Sequence, residues 1–171
     1  MRTNIFLTTL FILSMALCYA GCKEKNESGS MKGTHRVTYQ GFSFLCPDEL
    51  KPAEQFGGSD TAPNLFALSG VDIANAIYCD VSDAKSDFTP EAGQQLLESL
   101  KSGEPSAEGK VLKDGIEVRA VKSTPETSYT AMRIFVHGRK ACTLTFTYTE
   151  KNKDTLGKYV DAVLNSIQPA E

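Results

Sequence analysis

Few residues in this chain are of a type that does covalent or metal chemistry. There are two histidines and five cysteines among 171 residues. His35 stands where a polar stretch ends, and His137 stands at the end of an alternating segment before Gly138-Arg139. Cys142 follows His137 closely enough to suggest a thiol–imidazole pair, the arrangement that activates a cysteine nucleophile. The pattern around it argues otherwise. Cys142, Leu144, Phe146 and Tyr148 alternate with Thr143, Thr145 and Thr147, which puts the thiol on a buried strand face. Asp72, Asp80, Asp83 and Asp87 recur along one segment, but their spacing is not that of a calcium loop. Gly57-Gly58-Ser59-Asp60 lacks the lysine and the strand–helix setting of a phosphate cradle. No cysteine lies in a CxxC pair. The expectation is no catalytic residue, no metal site and no cofactor.

Cys22 offers a different chemistry. Arg2 gives a short basic start, and Ile5 to Ala20 is apolar apart from Thr8, Thr9, Ser14 and Tyr19. Small residues, Ala20-Gly21, stand immediately before Cys22. This is the layout of an export signal. Tyr19-Ala20-Gly21-Cys22 resembles the bacterial lipobox, usually Leu-Ala-Gly-Cys, with Tyr19 in place of the leucine. The resemblance implies removal of residues 1–21 and a thioether-linked diacylglycerol on Cys22. Stable anchoring needs two acyl chains or more, each buried methylene contributing about 0.8 kcal/mol. Lys23 rather than an aspartate follows the cysteine, which by the enterobacterial sorting rule favours the outer over the inner membrane.

Lys23 to Gly33 reads KEKNESGSMKG, so residues 22–33 form a lipidated cysteine and a flexible tether. About 11 such residues have a typical end-to-end distance of roughly 18 Å. Residues 34–171 are one domain's worth of chain. The formal charge is −3, and loss of Arg2 with the signal leaves about −4. With no basic stripe, a nucleic-acid partner is not expected. No later apolar run is long enough to span a bilayer.

Local signals then give the elements. Arg36 to Gln40 and Phe42 to Cys46 read as strands around Gly41, with Pro47 ending the second. Lys51 to Pro63 is rich in Gly, Pro, Ser and Asp and reads as an irregular loop. Asn64 to Ser69 and Ile73 to Ser82 flank a turn at Gly70-Val71-Asp72. Thr89-Pro90-Glu91 starts a helix reaching about Lys101, with Leu96, Leu97 and Leu100 as its buried stripe. Ser102 to Ala107 is a loop, and Lys110 to Lys113 and Ile116 to Lys122 flank Asp114-Gly115, a pair suited to two positive-φ turn positions. Ser128 to His137 and Lys140 to Thr149 form a further hairpin. Asp154 to Ile167 closes the chain as a helix, with Leu156, Val160, Val163 and Ile167 on one face. Tight hairpins demand antiparallel neighbours, and two amphipathic helices need a sheet to cover. The fold class is α+β, a largely antiparallel β-sheet of six to eight strands covered by helices.

Three stretches resemble the PsbP-like family, whose members include a photosystem II extrinsic protein, a yeast Ran-binding factor and small bacterial lipoproteins. They are Gly41-Phe42-Ser43-Phe44-Leu45-Cys46-Pro47, Gly138-Arg139-Lys140-Ala141-Cys142-Thr143-Leu144, and Tyr159 through Asn165-Ser166-Ile167. Cys46 replaces the family's usual tyrosine, and the chain has no tryptophan. The resemblance covers nearly all of residues 36–168 and implies a PsbP-like α/β/α sandwich. It also implies a function in contacts with other proteins rather than in chemistry. The functional expectation is a membrane-tethered envelope lipoprotein, not an enzyme, acting as an interaction or assembly module on another envelope protein. The alternative is an envelope small-ligand-binding domain or an enzyme. Of the remaining cysteines, Cys79 and Cys142 are expected as unbridged core residues and Cys46 at a strand end.

Overall fold

The structure is a computed structural model, and it describes residues 31–54 and 61–170. A seven-stranded antiparallel sheet forms its centre. The strands are β3 (Leu50–Glu54), β4 (Thr61–Leu68), β5 (Asp72–Asp83), β6 (Glu108–Leu112), β7 (Gly115–Lys122), β8 (Ser128–His137) and β9 (Lys140–Thr149). Their spatial order is β3-β4-β5-β9-β8-β7-β6. Each hairpin pairs with itself, and the two halves join where β5 lies against β9, from Ala76 opposite Thr147 to Asp83 opposite Lys140.

The first hairpin stands apart. β1 (Thr34–Tyr39) and β2 (Phe42–Pro47) combine with β10 (Gln168–Pro169) as a separate three-stranded sheet. The largely antiparallel sheet of six to eight strands expected from the sequence is the seven-stranded sheet, and the small sheet is additional to it. Every residue of β2 is buried, because its aromatic face meets the large sheet while Ser43 and Leu45 meet Arg36 and Ser166. The expected loop at Lys51 to Pro63 also needs correction, since it holds most of β3 and the start of β4. β3 is an edge strand, where Pro52 withholds no donor from a second neighbour. Pro63 precedes Leu65, where β4 first meets β5.

The helices cover opposite faces. Between β5 and β6, α1 (Pro90–Gly103) lies on β6 and β7, with Leu97 in a cluster with Ile116 and Val118 that Met132 and Ile134 flank. Leu96, expected in the stripe, is 39% exposed, because the helix meets the sheet along Gly93, Leu97 and Leu100. Thr89 Oγ1 accepts the Ala92 N–H at 3.2 Å and so satisfies one of the free donors at the helix start. Thr89→Ala should cost about 1 kcal/mol, read as a lower urea midpoint with an unchanged slope.

On the other face lie the small sheet and the closing helical segment. That segment is not the continuous helix expected. It runs as a 3₁₀ turn (Glu150–Asn152), α2 (Lys153–Leu156), a second 3₁₀ turn (Gly157–Tyr159) and α3 (Val160–Asn165). The tight turn at Gly157 lets the chain pass Tyr148 and still bury Leu156, Tyr159, Val160, Val163 and Ile167. These join Phe44, Phe66, Ile77, Leu144 and Phe146 in the main core. Each such large side chain fully buried contributes about 1.5–3 kcal/mol.

Candidate functional site

The residues that could do chemistry are placed by the fold as follows. Cys22 and the Gly57-Gly58-Ser59-Asp60 loop lie outside the described residues. His35 sits on β1 and is held by Asp48, with Nδ1 3.0 Å from Oδ1. His137 is exposed at the end of β8, its ring stacked 6.4 Å from that of Phe135. Asp72 and Asp83 stand at opposite ends of β5. Asp72 hydrogen-bonds Ala74 and Asn75, whereas Asp83 pairs with Lys140 at 2.7 Å, which lowers its carboxyl pKa. Among the described residues no group of three or more His, Cys, Asp or Glu could hold a metal ion.

Cys142 is fully buried, as its alternation requires. Its neighbour is another thiol. Cys79 lies on the adjacent strand, diagonally offset, and the two sulfurs are 3.6 Å apart and unbridged. Sequence periodicity placed both on a buried face but had no access to the strand order that brings them together. Cys46 is equally buried, and burial first, then the nearby Asp48 charge, pushes its thiol pKa far up. A thiolate is the reactive form, so the native domain should give no fast reaction with a disulfide reagent at neutral pH. Unfolding without reductant should release three thiols per domain. A single thiol would mean that Cys79 and Cys142 are bridged.

The arrangement that sequence reasoning missed is at one end of the large sheet. Leu50, Leu68, Asp72, Lys122, Ser128 and Thr149 all lie there by strand register. The same end receives the chain from its N-terminal side, because Thr34 stands opposite Pro47 and Gly33 O accepts the Asp48 N–H at 3.0 Å. A cleft of about 350 Å³ opens at this end, lined by Leu68, Asp72, Asn75, Glu126, Thr149 and Asn152 among others. Asn75 is its hub and is only 2% exposed. Asn75 Oδ1 accepts the Thr149 N–H at 2.9 Å, and Nδ2 donates to Asp72 at 2.8 Å. The side chain thereby ties the β4–β5 turn to the end of β9. Asn75→Ala would leave the buried Thr149 N–H without its acceptor, at about 1–3 kcal/mol, read by chemical denaturation.

Beside the cleft Tyr129 stacks on Tyr148 with ring centres 5.1 Å apart. Tyr129 donates to Glu150, and Lys153 Nζ reaches the Tyr129 hydroxyl at 3.0 Å. The Tyr129 bond is the main cause both of the lowered Glu150 pKa and of the raised Lys153 pKa. A second charged cluster lies on the face that carries the closing helical segment. Glu117, only 6% exposed, pairs with Arg119 at 2.9 Å and Lys110 at 3.5 Å. Arg119 also binds Asp161 of α3, which pins the closing helix to β7. These charges join strands and helix to each other and converge on no open site.

No protein-family profile matches the chain. No curated protein matches it either. Several solved structures are similar to it, two of them as follows. One is the solution structure of cyanobacterial PsbP (CyanoP) from Synechocystis, with 14% identity over 86% of this chain and 98% of that one, at a TM-score of 0.49. The other is a crystal structure from Bacteroides thetaiotaomicron, with 17% identity over 82% of this chain, at a TM-score of 0.46. The chain spans about half the length of that second protein. The α+β architecture itself rests on the strand registers and helix positions given above.

Proposed function

We propose that the chain is an envelope lipoprotein, lipidated at Cys22, whose domain acts without catalysis as an interaction or assembly module for another envelope protein. One observation carries this reading. The described chain begins at the same end of the sheet that holds the cleft and the Tyr129–Tyr148 stack, a few residues after Cys22. A lipid on Cys22 would therefore hold that end beside a membrane, with the outer membrane favoured by Lys23. The candidate chemical residues fit the same reading, because Asp72, Asp83 and His35 each already have a partner within the domain.

The cleft favours a second reading, a small-ligand site, since its volume lies in the range of ligand pockets. Against it, the buried polar atoms of Asn75 already bind Thr149 and Asp72, which leaves a ligand little to recognise. Crosslinking in intact cells followed by affinity recovery separates the two. The module reading predicts one discrete envelope protein in the recovered complex. Recovery of no protein, together with turnover or saturable binding of a small molecule by the purified protein, would reject it.

A further inference from the structure

We propose that the β4–β5 tip, through Val71 and Ile73, contacts lipid and seats the domain on the bilayer that carries its anchor. This rests on the lipid-tether reading and adds a second point of attachment. Four large apolar side chains are exposed among the described residues: Val71 at 64%, Ile73 at 55%, Val121 at 44% and Leu96 at 39%. Three of them lie at one end of the sheet. Val71 and Ile73 follow Leu68 in the turn, and Val121 stands opposite Tyr129 near the start of β8. Leu68 is the ladder partner of Leu50, two residues after Asp48, which binds Gly33. The tip and the tether thus leave the domain side by side.

The length of chain outside the structure limits what can cover the tip. Residues 23–30 separate the acceptor cysteine from Met31, and at full stretch the nine Cα–Cα steps span roughly 30 Å. Their typical span is nearer 16 Å. A bilayer holding Cys22 is therefore within reach of Val71 and Ile73 whenever the tether relaxes. The backbone of the tip is also built to leave water cheaply, while the half-buried Asp72 carboxylate stays held by Ala74 and Asn75. Gly70 N–H donates to Ala67 O at 3.0 Å, Val71 N–H to Leu68 O at 3.4 Å, Ile73 N–H to Val71 O at 3.1 Å, and Ala74 N–H to Asp72 at 3.2 Å. Backbone groups satisfied within the turn cost little on entering an apolar boundary. Lys32 and Lys51 are exposed nearby, but so is Asp48, so apolar contact rather than charge holds the tip.

The test uses the full lipidated chain in vesicles of phosphatidylethanolamine and phosphatidylglycerol. An environment-sensitive fluorophore is placed at Val71→Cys or, as a control, at Lys113→Cys in the turn at the far end. Cys46, Cys79 and Cys142 are buried and do not compete for label. At position 71 the emission should shift to the blue and be shielded from a water-soluble quencher, and at 113 it should do neither. Adding Ile73→Asp should reduce the shift at 71. Equal, water-like emission at both positions overturns the proposal, and so does a shift seen only in native membranes containing other proteins. Intact mass distinguishes the two readings: a chain with its lipid but no shift loses only the tip contact, while a chain without lipid loses both.

Discussion

Under the proposed lipid tether, Cys22→Ser should abolish lipid labelling and lipid-dependent membrane attachment and should change how the precursor is processed. A thioether needs the sulfur, and a serine hydroxyl cannot replace it. The effect is close to all or none, because two acyl chains at about 0.8 kcal/mol per methylene hold a protein that one chain binds only marginally. No helix among the described residues is long and apolar enough to cross a membrane. The measurement is fractionation with metabolic lipid labelling. A variant that still carries label and is cut at the normal position would place the acceptor elsewhere.

Gly115→Ala is the most damaging small change expected in the domain. The glycine is buried at the start of β7, with φ +150°, and its neighbour across the ladder is Phe135. A Cβ there would stand 1.8 Å from the Ile134 carbonyl oxygen and 2.8 Å from its carbon. Backbone cannot rotate away as a side chain would, so β7 must separate from β8. Strain and overpacking together give a loss of roughly 3–5 kcal/mol, a large part of an ordinary domain's stability. Gly138→Ala serves as the comparison, because its φ is +57° but no atom lies within 4 Å of the new methyl, and it should cost about 1–2 kcal/mol. Urea unfolding of both variants tests the difference, and equal midpoints would refute the close-packing argument.

Gly115 also shows where sequence reasoning stops. The Asp114-Gly115 pair correctly marked a hairpin, but for the wrong reason. Of the two only the glycine has positive φ, and it is needed for the approach of Ile134 rather than for a left-handed turn. Signals that act over a few residues were legible: the Thr89 cap, the alternation that buries Cys142, and the spacing of Leu156, Val160 and Val163. What depends on strand order was not. Alternation in Phe42 to Cys46 gives a buried face but does not say which sheet the strand joins, so the separate three-stranded sheet was missed. Pro52 hid β3, since proline counts against a strand until the strand is known to be an edge. Asn75, Glu117 and Arg133 read as ordinary polar residues, yet all three are buried. Their burial follows from partners distant in the chain, such as Thr149 for Asn75 and Asp114 for Arg133. Cys22, by contrast, was picked out by sequence alone and lies outside the described residues.

The most direct test of the tethered-module account is position-resolved photocrosslinking in intact cells. A photoreactive residue is placed in turn at exposed positions over the whole domain, among them Lys151 beside the cleft, Leu96 on α1 and Lys113 at the far end. The account predicts one adduct of constant partner mass, confined to a contiguous set of positions and lost in Cys22→Ser. Adducts of no defined partner from any position, or the same adduct from the unlipidated variant, would contradict it.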